Sequence, residues 1–209
     1  MIRAVIFDMD GVLADTEWFY RMRRAGFLAE HGLSEEGFDF TGSNEKAIWE
    51  ALVPNDPVRR KKLLLDYREY RKLHPAPYQK LADPVLRSLM SELKDRGLRI
   101  GIASSSEQEA IEALVQAAGI EKLIDCMVSG VNCTAHKPDP EIYLHTMARL
   151  GVTANEAIAV EDSTTGIAAA KSAGMKVYAL APRHGEQIDQ SAATACIECL
   201  IDILKYLDD

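Results

Sequence analysis

Four apolar residues, Ala4–Phe7, run directly into Asp8, with Asp10 and Gly11 close behind. A short, unbroken apolar run containing β-branched residues reads as a strand buried on both faces. Such a strand needs helices on either side, so the chain must alternate strands with helices around a parallel sheet. In sheets of that kind chemistry collects at the carboxyl ends of the strands, where Asp8 and Asp10 stand. Two residues apart, they would share one side of a regular strand, and leaving the strand at Gly11 lets both reach one ligand. Three plainer readings stand beside this one. Asp10-Gly11 could turn a hairpin. The acids could open a calcium loop, although that loop wants its glycine at the sixth position and a helix before it. They could also be solvated residues at a strand end.

The required alternation is present downstream. Asp83-Pro84 is expected to open a helix with an apolar stripe of Leu86, Leu89, Met90 and Leu93, stopped at Gly97. Leu98–Ala103 reads as a second strand, ending in Ser104, Ser105 and Ser106. Ser106 and Glu109 have the spacing of a capping box for a helix buried through Ile111, Leu114, Val115 and Ala118. A third strand over 125–129, a helix from Asp139-Pro140 to Gly151, a fourth strand over 157–160, a helix over 164–173 and a fifth strand over 175–180 follow. The fold class expected is α/β, a Rossmann-like parallel sheet core.

Between the first strand and Asp83 the pattern is helical. Phe19, Met22, Arg23 and Phe27 fall near helical spacing, with breaks at Gly32-Leu33, Phe40-Thr41-Gly42 and the Val53–Pro57 stretch. Pro75, Pro77 and Tyr78 mark a linker. Residues 16–80 are therefore expected to form an inserted all-helical cap domain, with residues 1–15 and 81–209 forming the catalytic core. Trp18, Phe19, Tyr20 and Trp49 are candidates for its working face, although aromatic residues at such spacing are more often core.

Charge narrows the partners. The net charge of −8 argues against general nucleic-acid binding. Residues 16–80 carry 12 Lys/Arg against 10 Asp/Glu, net +2, which leaves −10 for the rest. Arg59-Arg60-Lys61-Lys62 reads first as a solvated helix face. With 209 residues, 47% apolar and 27% charged, the chain has the composition of a soluble globular enzyme. It has no apolar stretch of membrane-spanning length, and its amino terminus is not that of a signal peptide. Cys126 and Cys133 are isolated, and Cys196-Ile197-Glu198-Cys199 lacks a second ligand pair, so all four are expected as free, half-buried thiols of a cytoplasmic protein. Monomer is the default state.

Three further places carry polar residues at strand ends. Ser104 to Ser106 precede a helix and could offer hydroxyls and backbone N–H groups to an anion, or simply cap the helix. Lys137 sits before Pro138 between the third and fourth strands. Glu161-Asp162-Ser163, with Gly166, brings two more acids to a strand tip. Acids about 4 Å apart repel by roughly 4 kcal/mol per pair at an effective dielectric near 20, and a hard divalent cation such as Mg2+ cancels that repulsion.

In their order and content these four stretches resemble the motifs of the haloacid dehalogenase-like phosphohydrolases, with the nearest likeness to the β-phosphoglucomutase-like and phosphatase branch. The resemblance runs from Ile2 to about Leu180. It implies Asp8 as nucleophile, Asp10 as general acid and base, and Ser104 and Lys137 as partners of the phosphoryl group. It implies Mg2+ held by Asp8, Asp10 and Asp162, with Glu161 assisting directly or through water. An acid at position 10 argues against a dehalogenase. Ser105, Ser106, Gly42, Lys46 and Tyr20 are the candidate substrate contacts, and the partner implied is a small phosphorylated metabolite. The chain departs from the mutases in three places. Gly42-Ser43-Asn44-Glu45-Lys46 lacks their cap arginine, although Lys46 could substitute. Tyr20 stands where they have a histidine, and Glu107 replaces a basic residue. Phosphatase is therefore preferred to phosphosugar mutase. A non-catalytic phosphate-binding protein and a receiver domain are the binding-class alternatives; the receiver wants its acceptor Asp mid-chain and no inserted cap.

Overall fold

A computed structural model describes residues 1–38, 40 and 45–207. Two compact units result, one of Met1–Asp15 with Tyr78–Asp209 and one of Thr16–Pro77.

The first unit is built on six strands: β1 (Ala4–Phe7), β2 (Arg99–Ser104), β3 (Cys126–Ser129), β4 (Ala157–Glu161), β5 (Lys176–Leu180) and β6 (Ala195–Ile197). They pair in the order β3-β2-β1-β4-β5-β6, and every pairing is parallel. The chain runs outward from β1 to β3, then crosses back to β4 on β1's other side. That reversal opens a crevice at the carboxyl ends of the central strands, where such sheets bind ligands. Register sets the depth of the crevice. Phe7 pairs with Ile102 and with Val160, so Asp8 emerges beside the ends of β2 and β4.

Both faces of the sheet are covered, which explains the apolar strand sequences. Val5 and Phe7 face one core with Leu89, Met90, Leu93, Ile111 and Leu114. Ala4 and Ile6 face the other, with Ile142, Tyr143, Met147, Ile167 and Ala170.

Eight α-helices lie among the described residues. Those of the second unit are α1 (Thr16–Glu30), α2 (Glu45–Leu52) and α3 (Pro57–Leu73). Those of the sheet unit are α4 (Tyr78–Leu81), α5 (Leu86–Asp95), α6 (Gln108–Ala118), α7 (Glu141–Leu150) and α8 (Thr164–Ser172). The helical unit has its own core of Phe27, Leu28, Trp49, Val53, Leu63 and Tyr67. Trp49 is thus a core residue, while Trp18 is half exposed and Arg23 lies over the rings of Phe19 and Tyr20. Arg59, Lys61 and Lys62 are exposed.

Several local expectations are corrected. Residues 78–80 side with the sheet unit, because α4 is tied there: Asp15 donates its N–H to the Leu81 carbonyl, and Ala14 bridges Ala82. Asp83-Pro84 makes a turn before α5, with the Asp83 carboxylate accepting the Val85 N–H, and the helix begins at Leu86. Position Ncap of α6 is Glu107; Ser106 is not its cap, since its hydroxyl is engaged elsewhere. The Ser-x-x-Glu spacing therefore misled. Strand β6 and the 3₁₀ segment Leu200–Tyr206 were not foreseen, and Cys196 and Cys199 are exposed thiols rather than half-buried ones. No described helix is long and apolar enough to cross a membrane.

Candidate active site

The ends of β1, β2 and β4 and the segment between β3 and α7 deliver the side chains. Asp8 leaves β1 buried, its N–H donated to the Val160 carbonyl. The chain then turns at Gly11, whose φ of +79° is left-handed and whose missing Cβ leaves room for the Asp162 carboxylate. A side chain at position 11 would collide with that carboxylate, so the glycine is needed for the acids to converge.

β2 ends in Ser104, fully buried. Its hydroxyl lies 3.3 Å from Asp10 Oδ2, and the Ser106 hydroxyl donates to the same oxygen at 2.7 Å. Ser106 in turn gives its N–H to Ser104 Oγ, and its carbonyl accepts the Ser129 hydroxyl at 2.6 Å. Asp10 is thereby aimed by two hydroxyls, themselves pinned from β2 and β3.

Lys137 reaches in from the segment between β3 and α7. Its ammonium donates to Asp8 Oδ1 and to Glu161 Oε1, each at 2.6 Å, and to the Ala103 carbonyl at 3.1 Å. Glu161, at the end of β4, is completely buried. Its Oε1 also accepts the Tyr143 hydroxyl at 2.7 Å. Its Oε2 accepts the Ser163 hydroxyl and the N–H groups of Asp162 and Ser163. Gly166 leaves the space this carboxylate fills, and the Ser163 hydroxyl accepts the Gly166 N–H at the start of α8. Gln190 donates to the carbonyls of Asp162 and Leu180, holding the β4 and β5 exits together.

Oxygens of Asp8, Glu161 and Asp162 lie within 4.8 Å of one another, and all three residues are buried. Burial pushes the Asp8 carboxyl well above the usual carboxylate range; Lys137 pulls it back, and Glu161, Asp162 and Asp10 push it further up. Burial pulls the Lys137 pKa down, but Asp8 and Glu161 outweigh it and hold the ammonium well above its ordinary pKa. Tyr143 is likewise raised, by burial and then by Glu161. Three carboxylates against one ammonium leave an excess of negative charge in a confined space. An all-oxygen donor set of this kind fits a hard divalent cation.

Of the residues singled out in the sequence, the fold brings together Asp8, Asp10, Ser104, Ser106, Lys137, Glu161 and Asp162. Ser105 shares the strand end but is exposed. Tyr20 is half-buried on α1 and Lys46 exposed on α2, both in the helical unit, and Gly42 lies outside the described residues. Sequence reasoning missed Tyr143 and Gln190. Tyr143 belongs to the buried stripe of α7, where an aromatic residue reads as core; the only signal was a hydroxyl in that stripe. Gln190, beyond β5, carried none.

Residues 5–180 match the haloacid dehalogenase-like hydrolase family. A phosphorylated carbohydrates phosphatase of Thermotoga maritima is 31% identical, the match covering 98% of this chain and 99% of the relative. The chloroplastic protein SUPPRESSOR OF QUENCHING 1 of Arabidopsis thaliana is 29% identical over 94% of this chain, which spans only 19% of that longer protein. Among solved structures, β-phosphoglucomutase from Clostridium difficile superposes with a TM-score of 0.81 at 23% identity, covering 100% of this chain and 96% of the other. CbbY from Rhodobacter sphaeroides, solved with phosphate, gives 0.74 at 23% identity and full coverage of both chains.

Proposed function

This chain belongs to the haloacid dehalogenase-like hydrolase family, and from that premise we infer that it is a Mg2+-dependent phosphatase acting on a small phosphomonoester, a sugar phosphate by preference, through an aspartyl-phosphate. The observation carrying this reading is the pairing of Asp8 with Lys137 at 2.6 Å beside a second acid, Asp10, that two serine hydroxyls hold in place.

Each residue then has a distinct task. An Asp8 oxygen attacks phosphorus in line, and the bond from phosphorus to the ester oxygen breaks. Asp10 gives that departing oxygen its proton, then takes one from the water that attacks the phosphorus. The second attack breaks the bond to Asp8 and returns its carboxylate together with inorganic phosphate. Lys137 and Ser104 offset charge on the phosphoryl oxygens, and the preset positions of both avoid reorganisation during reaction. Asp8, the backbone carbonyl of Asp10 and Asp162 would hold Mg2+, whose charge offsets the repulsion between these acids and an incoming phosphate. Glu161, whose Oε1 accepts from Lys137 and Tyr143 and whose Oε2 accepts three donors, has no lone pair to spare and serves better to hold Lys137 than to bind the ion directly. Tyr20, Lys46 and Gly42 remain the proposed cap contacts, with the helical unit Thr16–Pro77 as the cap. The 31% identity to a carbohydrate-phosphate phosphatase over nearly the whole chain supports a sugar phosphate.

The test is phosphate release from a panel of sugar phosphates, run beside β-glucose 1-phosphate with catalytic glucose 1,6-bisphosphate. Release from small monoesters that stops on chelation of the divalent ion is the expected result. Isomerisation of the glucose phosphate without phosphate release would establish the mutase reading instead.

A further inference from the structure

On the far side of α7 from Glu161's partner Tyr143, three side chains of different chemistry meet. Glu141 and His145 are one helical turn apart, so α7 presents both to the same side, and Cys133 comes from the chain preceding the helix. Their ligand atoms all lie within 4.8 Å of one another; Cys133 and Glu141 are half-buried and His145 is exposed. Cys133 Sγ is 4.0 Å from His145 Nδ1, and His145 Nε2 is 4.0 Å from Glu141 Oε1. Those separations are too long for strong hydrogen bonds. The two contacts use opposite nitrogens of the imidazole, of which an ion takes one; a tetrahedral zinc site, with edges of about 3.6 Å for sulfur to nitrogen and about 3.3 Å for nitrogen to oxygen, would draw the three ligand atoms, now within 4.8 Å of one another, closer together.

We propose that Cys133, Glu141 and His145 form a binding site for a divalent transition-metal ion, with zinc(II) the best fit. A thiolate, an imidazole and a carboxylate suit zinc and cobalt and disfavour magnesium and calcium, which prefer oxygen ligands throughout. Three protein ligands leave the fourth position for water. Binding releases the Cys133 proton to solvent, and the sulfur bonds the metal as thiolate. The site is braced before any ion arrives: Glu141 accepts the N–H groups of Thr134 and Ala135, at 2.9 and 2.8 Å. An ion there ties α7 to the segment 133–137, which ends in Lys137.

Cobalt(II) reports directly on the thiolate. The full chain, saturated with Mg2+ so that the acidic cluster is occupied, is titrated with cobalt(II) while the near-ultraviolet thiolate-to-cobalt absorption is followed. Zinc(II) is then added to displace the cobalt, and the melting temperature is recorded. The expected result is one equivalent of cobalt with a thiolate band that zinc abolishes, and a melting temperature raised by zinc. Cys133→Ser removes the band and the zinc-dependent rise, while its metal-free melt matches wild type. The double variant Cys196→Ser/Cys199→Ser keeps both. His145→Ala weakens binding by about 100-fold, at least what losing an outer-shell partner costs. A wild-type chain without the band, a band that survives Cys133→Ser, or His145→Ala binding as tightly as wild type would each overturn the proposal. None of these readouts depends on phosphatase activity, so failure here is separate from failure of the catalytic reading.

Discussion

The helical unit and the carboxyl ends of the sheet treat ionisable side chains in opposite ways. In the helical unit, three acids are paired with bases: Glu35 with Arg24, Glu45 with Arg68 and Arg71, Glu69 with Lys72. Its buried interior is aromatic and aliphatic, Phe27 packing on Trp49 and Tyr67. In the sheet unit, Asp8, Glu161 and Asp162 are withdrawn from water around one ammonium, that of Lys137. An acid with a base already beside it needs no cation from outside. Charge left in excess at the carboxyl ends of parallel strands costs stability, and it is kept where a cation and an anionic substrate must arrive.

The largest effect should come from Lys137→Met, which removes the only ammonium in direct contact with this cluster among the described residues. Leaving two buried acids unpaired should destabilise the fold by about 3–5 kcal/mol, read by denaturant unfolding. Since Lys137 lowers the Asp8 pKa, its loss should also move the acid limb of the pH–rate profile upward, because Asp8 then accepts a proton at higher pH. An unchanged unfolding free energy would break the comparison. A smaller effect is expected from Glu35→Gln in the helical unit, where a matched pair is weakened but a hydrogen-bonding partner stays: about 1–3 kcal/mol on unfolding. The smallest belongs to the surface pair of Arg3 and Glu156. Arg3 and the Thr153 N–H bring the Glu156 carboxyl down to about 2. A folded pKa below the unfolded one means that this contribution is complete above the unfolded value and fades as pH falls toward about 2. Melting temperature against pH should therefore drop less steeply in that window for Arg3→Ala than for wild type.

Much of this arrangement was legible in the sequence, for physical reasons that also mark the limit. A strand buried on both faces must be a continuous apolar run, so β1, β2 and β4 declared themselves and the acids at the ends of β1 and β4 stood out. Pro140 and Gly151 bracketed α7 because few other residues suit those backbone positions. Ser106 was misread because a hydroxyl three residues before a glutamate is a capping pattern whether or not an Asp from another strand lies nearby. Tyr143 was invisible because its ring is core and only its oxygen is chemistry. β6 is three residues long, too short for a period to show. The convergence of Asp10 with Ser104 at the end of β2 and Ser106 just beyond it is a fact of register, and register is written in pairings between strands rather than in any one of them.

The central claim is that phosphate passes through a carboxylate at position 8. Wild-type protein quenched during turnover and treated with borohydride should yield homoserine at position 8 in peptide mass spectra, since borohydride reduces an acyl phosphate and leaves a free carboxylate intact. Substrate-dependent homoserine at that position is the predicted result. Sustained turnover with an unmodified Asp8, or phosphate held on any other residue, would contradict the account.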